Sequence, residues 1–257
     1  MMRRFIAIAI AGTLAMTSAS AADRKYANVH TVAVVSALGG AITVNRLGFR
    51  WNANEYKLPI EWELDAQLTR QATAILAKHF VVNEVDPKTL IPSGPESTEL
   101  NSVRERIASM PKMVGVDAYV VILPDPAEVS YGEGAVVTRD PGLFGGGNTI
   151  LGLHYKVWAI YASSGKVIDF GTAENPASEN IFGSSLPFDT CDNSLWSDSV
   201  DSFSVEQKAS LRKEFAVLAS RSIGYTLANA GLIDKPEAQA ATATFDITGD
   251  KACRRGR

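Results

Sequence analysis

Gly115-Val116-Asp117-Ala118-Tyr119-Val120-Val121-Ile122-Leu123 is an almost unbroken apolar run, opened by glycine and closed by Pro124. It is apolar at consecutive rather than alternate positions and rich in β-branched residues. That pattern marks a strand buried on both faces, as in a parallel or mixed sheet covered by helices. The rest of the chain is read outward from it. Upstream, Leu100, Val103, Ile107 and Met110 recur at helical spacing after Ser97, a candidate cap, and before Pro111, a stop. Further back, Leu64, Leu68, Ala72, Ile75 and His79 line one face of a second amphipathic helix, about Asp65 to His79, with Asp65, Arg70 and Lys78 between them. Phe80–Val85 has strand character and is stopped by Asp86-Pro87.

Nearer the start, Val29–Ala37 is a β-branched strand ended by Leu38-Gly39-Gly40, and Ala41–Asn45 is a second strand. Pro59 demotes Tyr56–Trp62 to an edge strand or a connection. Downstream of the central run, Asp125–Gly152 reads as one long connection holding Gly145-Gly146-Gly147. Leu153–Ala162 and Lys166–Thr172 flank Ser163-Ser164-Gly165 as a hairpin. Asn175–Ser202 reads as polar loop. The last helix opens on a Ser204/Gln207 capping box, carries Leu211, Phe215, Leu218, Ala219 and Ile223 on one face, and ends at Gly231 and Pro236. Glu237–Arg257 reads as a tail.

The order is β-β-α-β-α-β-(long loop)-β-β-α. It predicts a single α/β layered domain over residues 22–233, with a mixed β-sheet packed by two or three helices, a leader over 1–21 and a polar tail over 234–257. Neither an internal repeat nor an interior linker is evident. Three local features of this succession resemble the envelope proteins of the TolB amino-terminal domain and curli secretion-channel subunit type. They are the opening strand Val32-Ala33-Val34-Val35, the run Gly115–Ile122 directly after a helix, and the hairpin Ile160-Tyr161-Ala162-Ser163-Ser164-Gly165-Lys166-Val167-Ile168. The double strand before the first helix and the long Gly-rich connection depart from that pattern. The resemblance implies an assembly, secretion or accessory role in the envelope without catalysis, and it transfers no site residues.

The start of the chain carries an address. Met1-Met2-Arg3-Arg4 is positive, Phe5–Met16 is apolar over about a dozen residues, and Ala19-Ser20-Ala21 has the small-x-small pattern of a cleavage site. A segment of that length is a secretory leader cut near Ala21 and is too short to span a bilayer. A periplasmic or secreted, disulfide-permissive location is the expectation, with no transmembrane segment after cleavage. Cys191 and Cys253, the chain's only cysteines, both lie in polar sequence and are expected to pair and tether the tail.

Composition excludes other classes. The chain has 257 residues, 46% hydrophobic and 21% charged, with 25 basic against 28 acidic side chains. This is a globular composition without the basic excess a nucleic-acid binder needs. The three histidines, His30, His79 and His154, have no partner at motif spacing. Glu61, Glu63 and Asp65 precede a helix, where the dipole favours acids without any chemistry. Asp189, Asp192, Asn193 and Asp198 lack the register of a calcium loop. Trp51 and Trp196, in polar context, are candidate surface contacts, and Trp158 is expected in the core.

No catalytic residue, metal site or cofactor is therefore assigned. The candidate contact residues are those of the Gly-rich connection: Tyr131, Leu143, Phe144, Gly145, Gly146 and Gly147. The reading is an exported, non-catalytic envelope accessory protein that acts on a protein partner. Two alternatives stand beside it. One is a small periplasmic hydrolase using His154 or His30 with an acid such as Asp117. The other is a small-molecule-binding domain, which a concave apolar pocket would favour.

Overall fold

Residues 118–123 are continuously apolar because both faces of their strand are covered. The computed structural model describes residues 25–47, 53–59, 62–91, 98–110, 115–125, 134–139, 148–174, 176, 187–197, 203–245, 249 and 253–254. The fold is mixed α/β. Strands β1 (Thr31–Ser36), β2 (Ala41–Leu47) and β3 (Ala53–Pro59) are followed by helix α1 (Leu64–Leu76) and the short β4 (Val81–Asn83). Helices α2 (Pro87–Leu90) and α3 (Leu100–Ser109) lead into β5 (Ala118–Pro124). Strands β6 (Gly134–Arg139), β7 (Thr149–Tyr161), β8 (Val167–Thr172) and β9 (Phe188–Cys191) come next. Helices α4 (Val205–Asn229) and α5 (Lys235–Thr244) and the two-residue strand β10 (Cys253–Arg254) close the chain.

The sheet is built on β7. Its C-terminal half pairs antiparallel with β5 and β8, and its N-terminal half with β6 and β9. The peptide C=O of His154 accepts from Asp125 N–H, while Leu153 N–H donates to Pro187 and Tyr155 C=O accepts from Ala173 N–H. Peptide groups alternate sides along a strand, so β5 and β6 lie on one flank of β7, and β8 and β9 on the other. Outward from β5 lie β1 and then β4, both parallel to their neighbours. Outward from β6 lie β2, parallel, and β3, antiparallel. Two half-sheets thus share one strand.

The alternation of side chains divides the core. Val32, Val34, Ala118, Val120, Ile122, Val157 and Ala159 face α1 and α4, meeting Leu68, Ala72, Phe215, Leu218 and Ile223. Ala33, Val35, Tyr119, Val121 and Leu123 face the other way, onto Val103 and Ile107 of α3 and Leu90 of α2. The half-sheet around β5 is therefore the middle of an α/β/α sandwich. Polar groups fix how α4 lies on the sheet. Tyr155 Oη and Ser222 Oγ are 2.8 Å apart and Thr226 Oγ1 donates to the same phenol at 3.3 Å, all fully buried. Burial pushes the Tyr155 hydroxyl up to about 12. Gln67 and Gln71 of α1 reach across to Ala216 O and Ser220 Oγ of α4 at 2.7–3.1 Å.

Several expectations are corrected. The segment 125–152 is not one connection: β6 runs through it and β7 begins at Thr149, four residues before the strand start read from the pattern. Gly134-Ala135-Val136-Val137-Thr138 is too short and too closely flanked by glycine to stand out, and its order comes from non-local pairing with β2 and β7. The stretch 175–202 holds β9 and a 3₁₀ turn at Asn193–Leu195. The tail carries α5. Pro236 does not stop a helix there but sits in the first turn of a new one, which Asp234 caps by accepting from Glu237 N–H at 2.8 Å. Pro87 plays the same part in α2, capped by Asp86. Pro59 ends β3 at the sheet edge, and the Ser204/Gln207 box is reciprocal as expected. Ser97 lies outside the described residues, and Glu99 precedes α3.

Two glycines are required by close approach. A Cβ at Gly165 (φ 66°) would fall 2.5 Å from Arg104 O, and one at Gly171 would fall 2.2 Å from Thr226 O and 2.6 Å from Ala230 N. Both clashes are with backbone, so no side chain can swing away. Gly171→Ala is expected to push α4 off β8 and cost roughly 1–3 kcal/mol. That lowers the melting temperature by several degrees for a chain of this size, read by differential scanning calorimetry. An unchanged midpoint contradicts the stated α4–β8 contact.

Candidate functional site

The residues that sequence offered for chemistry are placed as follows. Tyr131, Leu143, Phe144, Gly145, Gly146 and Gly147 lie outside the described residues, as do Trp51, Glu61 and Asp198. Cys191 and Cys253 stand directly opposite each other in the β9–β10 pair with their sulfurs bonded, 62 residues apart in sequence. Cys253 and Arg254 are thereby fixed against the edge of the half-sheet around β6. Asp189 pairs with Arg221 of α4 at 3.1 Å, and Asp192 caps the 3₁₀ turn. Trp196 is buried at 6% exposure, not a surface contact. Trp158 packs against the α3-side core and lies 4.8 Å from the exposed ring of Phe170.

The histidines do not converge. Asp117 accepts from the peptide N–H groups of His30 and Thr31, each at 2.9 Å. These bonds, His30 first, hold its carboxyl below the ordinary value, with the nearby His30 ring contributing in the same direction. The acid thus anchors the start of β1 through backbone amides. His154 sits eight strand positions further along the sheet, opposite Asp125 rather than Asp117, which at about 3.3 Å per residue separates the two by more than 20 Å. It is buried at 1% exposure with its ring edge-on to Phe188 at 5.4 Å. Beside it, Asp125 pairs with Lys156 at 2.8 Å.

His79 does meet an acid: its Nε2 lies 2.5 Å from Glu237 Oε2, and Lys78 Nζ lies 3.4 Å from Glu237 Oε1. This cluster borders a pocket of about 380 Å³ lined also by Tyr26, His30 and Asp234. The hydroxyl there belongs to Tyr26, which donates to Ala230 O at 2.7 Å and is pushed upward by burial. Among the described residues no serine, threonine or cysteine lines the pocket. The cluster ties the end of α1 to the first turn of α5.

A second concavity among the described residues is larger and differently made. A groove of about 710 Å³ runs between α1 and the segment after β4. Trp62, Ala66, Thr69, Thr73 and Ala74 form one wall, Asn83–Val85 and Pro87 the other, and Val34 and Ser36 at the C-terminal end of β1 the floor. The spacing 66, 69, 73 is one stripe of a helix, left over when Leu64, Leu68, Ala72 and Ile75 turn to the core. Trp62 is held by packing edge-on to Phe215 at 5.2 Å and by donating to Gly39 O at 3.2 Å. Asp65 is committed to the β1–β2 turn, accepting from Ser36 Oγ (2.6 Å), Leu38 N–H (2.7 Å) and Gly39 N–H (3.3 Å). Glu63, Arg70 and Glu84 stand exposed on the rim, with no ion pair among the described residues. The groove has little signature in the sequence because it forms only where β4 ends early beside a helix. The one available signal was the small-residue stripe of α1. Among the described residues, no helix is long and apolar enough to cross a membrane, and no cluster of three or more His, Cys, Asp or Glu has metal-site geometry.

No family model and no curated protein matches the chain. Two predictions come from the geometry itself. Because its folded-state pKa is depressed, Asp117 contributes stability above the unfolded value of about 3.9 and loses it as pH falls through the lower folded value. Asp117→Asn is expected to lower the melting temperature near neutrality, with the gap to wild type closing in acid; a gap independent of pH contradicts the assigned bonds. Replacing Cys191 and Cys253 with serine releases a closed loop worth about 4 kcal/mol in the chain-entropy account. It should lower thermal stability and raise amide exchange in β9, which mass-resolved exchange reads directly.

Proposed function

We propose that this chain is an exported accessory domain of the cell envelope that works by contact with another protein rather than by catalysis. The observation that carries the reading is the groove beside α1. Its lining is mostly apolar, its rim charges Glu63, Arg70 and Glu84 have no ion pair among the described residues, and it opens on the end of a sheet strand. By contrast, the acids and histidines most suggestive of chemistry are engaged in holding turns, strand starts and helix ends together. The leader pattern of residues 1–21 and the juxtaposed cysteines support an oxidising location. The resemblance to envelope accessory proteins points the same way as analogy.

A second reading has one specific observation in its favour. The groove's volume lies within the range of small-molecule pockets, which are also largely apolar with a few polar groups. Size alone does not separate a metabolite from a side-chain-bearing peptide, but location does: a strand end is a protein-recognition element.

The test is site-specific photocrosslinking in the native cell. A photoreactive residue at Ala74, in the groove, is compared with one at Lys213, on the exposed side of α4. Expected are recovery of the processed chain from the envelope fraction and a discrete higher-mass protein adduct from position 74 but not 213. An unprocessed cytoplasmic chain, or the absence of a groove-specific adduct, contradicts the proposal.

A further inference from the structure

We infer that the groove recognises an extended, basic peptide segment, which pairs through its main chain with the open end of β1. This deepens the contact reading above and rests on it. The argument begins with peptide groups. His30 C=O accepts from Val81 N–H, whereas Thr31 C=O accepts from Asp117 N–H and Ala37 N–H donates to Ile122 O. Even-numbered residues of β1 therefore present N–H and C=O toward β4, and odd-numbered ones toward β5. Register pairs Ala33 with Asn83, where β4 ends, while β1 continues to Ser36. Val34 C=O and both peptide groups of Ser36 thus face the side β4 has vacated, and none has a backbone partner among the described residues.

These orphaned groups lie at the floor of the groove, since Val34 and Ser36 line it. A strand laid in this slot continues the position of β4 and satisfies them, the mode of recognition in which main-chain bonds give affinity and flanking pockets give selectivity. Alternate side chains of such a strand meet the Ala66–Thr69–Thr73 stripe, whose small residues leave room for branched apolar groups. Charge decides the rest. Glu63, Asp65 and Glu84 outweigh Arg70 around the groove, so the field at its mouth favours a strand of net positive charge and disfavours one of net negative charge. An acidic strand fits the same backbone slot and is rejected by the rim.

The experiment uses the full mature chain and fluorescently labelled, end-blocked pentapeptides, read by anisotropy. Saturable binding of Val-Lys-Val-Lys-Val is expected, weakened roughly tenfold or more in Val-Glu-Val-Glu-Val. The edge-pairing signature is parity. A strand offers alternate N–H groups to one edge, so N-methylation at residues 2 and 4 and N-methylation at residues 1, 3 and 5 must differ, one pattern abolishing binding and the other sparing it. Ala66→Trp fills the slot from an exposed helix position and should remove binding at an unchanged melting temperature. Glu63→Gln with Glu84→Gln should weaken the lysine peptide and narrow its margin over the glutamate one. Equal binding of both N-methyl patterns, or no binding of the lysine peptide while dodecyltrimethylammonium binds and is displaced by Ala66→Trp, overturns the inference in favour of a small-molecule site. A groove-specific cellular adduct without peptide binding sinks the strand occupant and leaves protein contact standing. Peptide binding without the adduct upholds the strand slot and removes the envelope contact.

Discussion

The constraint on which the rest depends is the length of β7. A strand of 13 residues passes through both half-sheets, and each flank is filled by two shorter strands set end to end: β5 then β6, and β8 then β9. Because β1 and β2 follow the same division on the next position out, the strands beside β7 break at one level across the sheet, near Leu38 and Asp125, opposite His154 of the unbroken β7. Backbone groups at such a level have to be satisfied from outside the ladder. Asp65 does so for the break between β1 and β2, which is why an acid at the start of α1 serves the sheet as much as the helix.

Helix α4 transmits this order to the far side of the core. Its contact with β8 is a backbone-to-backbone approach made at Gly171, and its contact with β7 is the buried hydroxyl set of Tyr155, Ser222 and Thr226. The two are complementary. The glycine allows the helix to come close, and the hydroxyls, each needing its partners once dry, set where along the strand it stops. Helix α1 then packs on α4 through Gln67 and Gln71, and so the outer stripe of α1, and with it one wall of the groove, is positioned by a chain of contacts leading back to β7.

The legible parts of this structure are those determined locally or by burial on both faces. Residues 116–123, the α1 stripe and the Ser204/Gln207 box each carry their own signal, and the mixed sheet with helices on its faces is the architecture they imply together. β6, with three apolar residues behind a glycine, and β9, with only Phe188 and Cys191, carry too short a pattern to mean anything until a partner strand is in register beside them. Pro236 is ambiguous in the sequence because proline occurs both just after one helix and just inside the next; only Asp234, accepting from Glu237 N–H, distinguishes the two. His154 illustrates the limit for sites. A histidine in a strand is equally compatible with a ligand and a core residue, and it is the shortage of side chain at Gly152, where a Cβ would lie 2.9 Å from His154 Nε2, that makes room for the ring inside.

The open end of β1 differs in kind from the other edges of the sheet. At β3 the outer strand ends in Pro59 and exposes Lys57, both of which discourage another strand from adding. At β8, α4 is pressed against the strand. The segment Val34-Val35-Ser36 carries neither charge nor proline and is β-branched at two of its three positions, which in the open would invite aggregation. Its protection is geometric: α1 rises on one side and Asn83–Pro87 on the other, so a single strand has access while the edge of a second sheet is kept out. A protein that merely needed to close this edge would do so by extending β4 three residues. Instead the chain turns away at Glu84 and leaves an acidic side chain at the mouth of the gap.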